Sequence, residues 1–130
     1  MYQSFLMGEK ALANLSIEEY LQHEAGSDVR HEYHNGQVFA MAGGSLHHGI
    51  LGNAINAELN ILCRGKKSTP FNGDVRVRIE AANRFVYPQA SVVCGPVQTS
   101  REDEHAIVNP ILIAEVLSDS TEGYDRGAKF

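Results

Sequence analysis

Glu115 is the one charged residue in Ile111-Leu-Ile-Ala-Glu-Val-Leu117, a run of apolar, mostly branched side chains of the kind a central strand requires. A carboxylate in such a strand costs several kcal/mol in lost solvation unless it is paired, hydrogen-bonded or bound to a metal. The bland alternative is a glutamate at a strand end that faces water. Behind it the chain turns polar, through Asp119, Glu122, Asp125 and Arg126, and reaches Lys129 just before the terminal Phe130. Glu32 falls in Arg30-His-Glu32-Tyr-His-Asn-Gly36, ahead of a tight turn, where a surface charge of the hairpin is the plain alternative. A third stretch, Phe85-Val-Tyr87-Pro88-Gln89-Ala-Ser-Val-Val-Cys-Gly95, brings a polar amide to the start of another apolar strand.

These segments in this order resemble the Uma-two family of restriction endonucleases, within the PD-(D/E)XK nuclease superfamily, from about Ile17 to the end of the chain. The resemblance implies an α/β (α+β) fold with a restriction-endonuclease-like core, a mixed central β-sheet flanked by helices. It also implies a DNA endonuclease that hydrolyses phosphodiester bonds with Mg2+ or Mn2+. Carried onto this chain, Glu32, Glu115 and Lys129 take the catalytic positions, and Glu115 and Gln89 the metal-binding ones. Lys129 would orient or deprotonate the attacking water; a surface lysine near the chain end is the plain alternative. His48 stands where the family has a histidine opening a long helix, and a helix N-terminus attracts anions such as phosphate. With Arg76 and Arg78 it makes up the expected nucleic-acid contacts.

The pattern is broken at two places. Gln89 stands where the family has an aspartate after Pro88, and the family domain continues past the lysine into a further strand and helix. Replacing a carboxylate by an amide keeps an oxygen donor and removes a charge. At ~4 Å and an effective dielectric near 20, a unit charge pair is worth about 4 kcal/mol, and more with a dication. The expectation is therefore a nuclease with impaired activity. The alternative is a catalytically inactive remnant of the fold that binds nucleic acid or protein; a third reading, an unrelated small mixed α/β domain, would gain if Glu32 and Glu115 lay far apart.

The elements that must position these groups are marked by local signals. Ser16-Ile-Glu-Glu19 has the form of a capping box, which predicts a helix from Ile17 to about His23, closed by Gly26. Asn35-Gly36 predicts a hairpin between strands at 30–33 and 37–41. Ser45 can cap a longer helix to about Leu62, with Leu51, Ile55, Leu59 and Leu62, widened by Ile50, Ala54 and Ile61, as its core stripe. Val75, Val77 and Ile79 alternate with Arg76, Arg78 and Glu80, the pattern of a strand with one wet face. Strands follow at 85–87 and 90–94, and 98–105 reads as an exposed loop. The last apolar strand leads to a helix starting at Asp119.

At 130 residues and 43% hydrophobic, the chain suits a single domain over 1–130, with 1–15 as a flexible lead. Its net charge of −5 argues against binding driven by a bulk basic surface, but a dication held among acidic groups would change the local balance. No apolar run is long enough to span a bilayer and the start lacks signal-peptide character, so the expected location is the cytoplasm, with no membrane partner. Cys63 and Cys94 suggest neither disulfide nor zinc. If the missing strand and helix leave the 111–117 strand uncovered, its apolar edge would recruit a second copy, so a homodimer is expected.

Overall fold

The structure is a computed structural model that describes residues 10–41 and 43–117, so Lys129, Asp125 and Arg126, and the helix expected from Asp119, lie outside the described residues. The described residues form a mixed α+β fold of two α-helices and two sheets. The chain forms two compact units, each assembled from separate stretches of sequence.

The first unit contains β1 (Lys10–Leu12), α1 (Ile17–Ala25), β2 (His31–His34), β3 (Gln37–Ala40), the second half of β5 (Arg76–Ile79) and β6 (Arg84–Val86). The order of neighbouring strands is β1-β3-β2-β6-β5. Helix α1 starts as expected. The Ser16 side chain accepts from the Glu19 N–H while the Glu19 carboxylate accepts from the Ser16 N–H, and the latter bond holds the exposed Glu19 carboxyl below its usual range. The hairpin is also as read: Asn35 and Gly36 have φ of 50° and 97°, the left-handed pair a tight two-residue turn demands. Buried Tyr20, Tyr33 and Phe85 form an aromatic core, with ring centroids 5.0 to 6.0 Å apart. Tyr20 Oη donates to the His31 carbonyl at 2.6 Å and so ties α1 to β2.

The second unit contains α2 (Leu46–Cys63), β4 (Ser68–Asn72), the first half of β5, β7 (Ala90–Cys94), β8 (Ala106–Ile107) and β9 (Leu112–Ala114). Strand β7 lies between β4 and β9, antiparallel to both, and its Ala90, Ser91 and Val93 are fully buried. Arg76 and Val77 pair in parallel with Ala106 and Ile107 of β8.

Three local readings change. The strand expected over 111–117 is only Leu112–Ala114, so Glu115 stands just beyond its end. On α2 the apolar stripe is split: Leu46, Ile50, Leu51, Ile61 and Leu62 are exposed, while the sheltered positions are His48, Gly52, Ile55, Asn56, Leu59 and Cys63. That helix is apolar on most sides, so periodicity could not choose its inner face. The loop at 98–105 is not wholly exposed, because Ser100 and Asp103 are buried.

Candidate functional site

The register of β7 against β9 builds the site. Ala90 pairs with Ala114 in an antiparallel ladder, so the next residues outward on the two chains are Gln89 and Glu115. The Gln89 N–H donates to Glu115 Oε1 at 3.4 Å, a long bond by ordinary standards. Two residues predicted from separate motifs, 26 positions apart in sequence, are thus brought side by side at one strand end. Both are half-buried.

Helix α2 closes this end of the sheet with a polar ladder. Ser45 caps the helix through its hydroxyl, which accepts from the His48 N–H at 3.1 Å. His48 Nε2 lies 2.6 Å from the carbonyl oxygen of Val116, which can only accept, so this nitrogen carries the hydrogen. One turn on, Gly52 meets the Gln89 amide so closely that an added Cβ would lie 2.6 Å from its Nε2. A further turn on, Asn56 Nδ2 donates to the Gly52 carbonyl at 3.0 Å and the Gln89 carbonyl at 3.3 Å. The His48, Gly52 and Asn56 spacing of four puts all three on one helix face.

Gly52 and Asn56 were missed in the sequence. The signal was there: an interruption of the apolar pattern by a small and a polar residue in step with His48. Asp74 is a further carboxylate at this end. Strand β4 pairs Asn72 with Ala90, and the turn that follows carries Asp74, whose N–H donates to Asn72 Oδ1 at 3.0 Å. The Gln89 end of β7 is therefore flanked by the turn bearing Asp74 on one side and by Glu115 on the other.

The other expected site residues have separate settings. Glu32 is fully buried on β2 in the first unit, and His34, two residues along on the same strand face, places Nε2 3.7 Å from Glu32 Oε1. Arg78 is buried in the first unit, donating to Asn83 Oδ1 at 3.0 Å and the Arg84 carbonyl at 3.3 Å, with its guanidinium 4.5 Å from the Phe85 ring centroid. Arg76, in the second unit, donates to both Asp103 oxygens at 2.7 and 3.1 Å and to Tyr87 Oη at 3.0 Å. Burial opposes the charge of Asp103, but the hydrogen bonds from Arg76 and the His105 N–H outweigh it and hold the carboxyl below its usual range. The Arg76 guanidinium is raised in turn, its bonds to Asp103 and Tyr87 overcoming burial. The face of β5 expected to be wet is thus filled by guanidinium groups on internal acceptors.

Among the described residues, His23, Glu24 and His31 also form a group whose donor atoms could hold a metal ion, and no helix is long and apolar enough to cross a membrane.

An uncharacterized protein of Synechocystis sp. (strain PCC 6803), slr1290, is 39% identical over 116 residues, covering 89% of this chain and 60% of its own length. A second from the same organism, sll1609, is 31% identical over 116 residues, covering 89% of this chain and 66% of its own length. The chain therefore spans about 60 to 66% of the length of these curated relatives. No solved structure matches it significantly. The model of the Uma2 family, described as "Putative restriction endonuclease", matches residues 17–130, from the first turn of α1 to the end of the chain, and the chain belongs to that family.

Proposed function

We propose that this chain carries the site of a Mg2+- or Mn2+-dependent DNA endonuclease of the PD-(D/E)XK type, weakened at its metal-binding corner by Gln89. The observation that carries the reading is the meeting of Gln89 and Glu115 at the end of the β7–β9 ladder, with α2 presenting His48 at the next residue. Magnesium prefers oxygen donors. The Glu115 carboxylate and the Gln89 amide oxygen supply that type of donor, one charge short of the family pattern, and Asp74, on the turn after the strand that pairs Asn72 with Ala90, is a carboxylate that could make up the charge. When bound, the ion supplies Lewis-acid stabilisation of phosphate oxygens and acidifies water.

The remaining roles belong to side chains of the chain itself. The Gln89 N–H holds one oxygen of Glu115 and so fixes the carboxylate at the strand end. His48 lies in the first turn of α2, whose positive end favours a phosphate. Its Nε2–H is committed to the Val116 carbonyl, which makes the histidine a positioning group. Lys129 activates the water in this reading, by resemblance to the family.

The test is Gln89→Asp. The restored carboxylate should raise Mn2+ affinity by about tenfold or more in calorimetry, on the Coulomb scale above, and increase plasmid nicking. Unchanged metal affinity would place the site elsewhere. A second reading, an inactive module that binds nucleic acid, is favoured by the seating of the Gln89 amide against Gly52, a contact that makes the amide a packed part of the fold. It predicts DNA retention that is indifferent to Mn2+ and no nicking even with Asp at 89.

A further inference from the structure

The junction between α1 and β2 places three metal-binding side chains together, apart from any residue used above. His23 and Glu24 occupy the last turn of α1, Gly26 ends the helix, and the Ser27–Val29 turn reverses the chain so that β2 begins at His31. Glu24 is 7% exposed, and its carboxylate spans the junction: Oε2 accepts from the His31 N–H at 2.7 Å and Oε1 lies 2.9 Å from His31 Nδ1. The His23 ring stands edge-on to the His31 ring, with centroids 4.8 Å apart. One donor atom from each of the three residues lies within 4.8 Å of the others.

We infer that His23, Glu24 and His31 form a binding site for a transition-metal dication of the zinc class. Two imidazoles and a carboxylate are the donor set of a three-protein-ligand zinc centre, whereas magnesium prefers an all-oxygen shell. At bond lengths of about 2.1 Å and tetrahedral angles, donors stand ~3.4 Å apart. Glu24 and His31 are already near that spacing, held by the backbone bond that fixes the carboxylate on β2. His23 is exposed, so its ring can turn to close the remaining gap without disturbing the core. The same exposure gives the ion a route in and leaves its fourth position to water. A dication also balances a buried carboxylate better than a neutral imidazole does. The plain alternative is that Glu24 and His31 only staple the helix to the strand. That alternative gives His23 no part.

The site is independent of the nuclease reading, and cobalt reports on it by spectrum rather than by activity. Titration of the intact chain with Co2+ should produce the intense visible bands of a tetrahedral ion, displaced by Zn2+ and not by excess Mg2+. His23→Ala should weaken Co2+ binding by about tenfold or more, the scale on which losses around metal sites fall. It should melt like the unaltered protein without metal, because the residue is exposed. Glu115→Ala should leave the bands in place, which separates this site from the acidic one. Absence of tetrahedral bands, or the same Co2+ affinity in His23→Ala, overturns the assignment.

Discussion

The second unit contains two polar junctions built in opposite ways. At one, Arg76 and Asp103 meet through two short bonds, with Tyr87 taking a third guanidinium donor, and the side chains are 18% and 4% exposed. At the other, Gln89 and Glu115 touch through one bond of 3.4 Å, both are half-buried, and a glycine is needed to make room for the amide. The first spends its hydrogen-bonding capacity internally and stabilises the fold. The bond between the two groups of the second is long and correspondingly weak. Arginine in a strand is thus no mark of nucleic-acid contact by itself: what it touches decides.

The largest expected effect comes from breaking the closed junction. Asp103→Ala leaves the Arg76 charge sheltered without its partner and should cost about 3 kcal/mol in chemical denaturation, the scale for breaking a buried pair. Removing either group of the open junction should cost clearly less. The same carboxylate predicts acid sensitivity. Its folded value is depressed, so its contribution is complete above the ordinary aspartate value of about 3.9 and is lost as pH falls through the folded value. Asp103→Asn should flatten that low-pH decline, and an unchanged pH profile would show that other carboxylates govern it.

Much of the frame was legible because its signals are local. Ser16 with Glu19, and Asn35 with Gly36, act over a few residues and do not depend on what packs against them. The pairing of Gln89 with Glu115 was readable only through the family pattern, since ladder register is set by contacts far apart in sequence. Three features were hidden for related reasons. The inner face of α2 is chosen by Gly52 and Asn56, which carry no hydrophobic signal. Asp103 sits in a charged stretch that reads as solvated until Arg76, 27 residues earlier, is placed beside it. The His23, Glu24 and His31 group is split by the end of a helix, so no periodic pattern links it.

A smaller effect, and one of changing sign, should come from Gly52→Ala. Alanine in place of a helical glycine gains about 1 kcal/mol, but here the new Cβ would sit 2.6 Å from the Gln89 amide. Overpacking of that kind costs ~1–3 kcal/mol, although the end of a glutamine side chain can give way. The net expectation is a loss of about 1 kcal/mol, measured by urea denaturation. With Gln89→Ala the obstacle disappears, and Gly52→Ala should then stabilise. Equal effects in the two backgrounds would mean that the amide does not rest on Gly52.

The smallest effect should be that of His48→Ala. The imidazole gives Val116 its hydrogen bond at 2.6 Å, and Val116 is 8% exposed. A neutral hydrogen bond contributes about 1 kcal/mol net. Alanine is also the better helix former, by a few tenths of a kcal/mol. The loss should therefore stay near or below 1 kcal/mol, well under that of Asp103→Ala. If His48 serves to hold the Glu115 end of the chain in place, the same substitution should reduce DNA cleavage in the Gln89→Asp protein far more than it reduces stability. A stability loss as large as that of Asp103→Ala, with nicking unchanged, would make His48 a structural strut and remove the contrast between the two junctions.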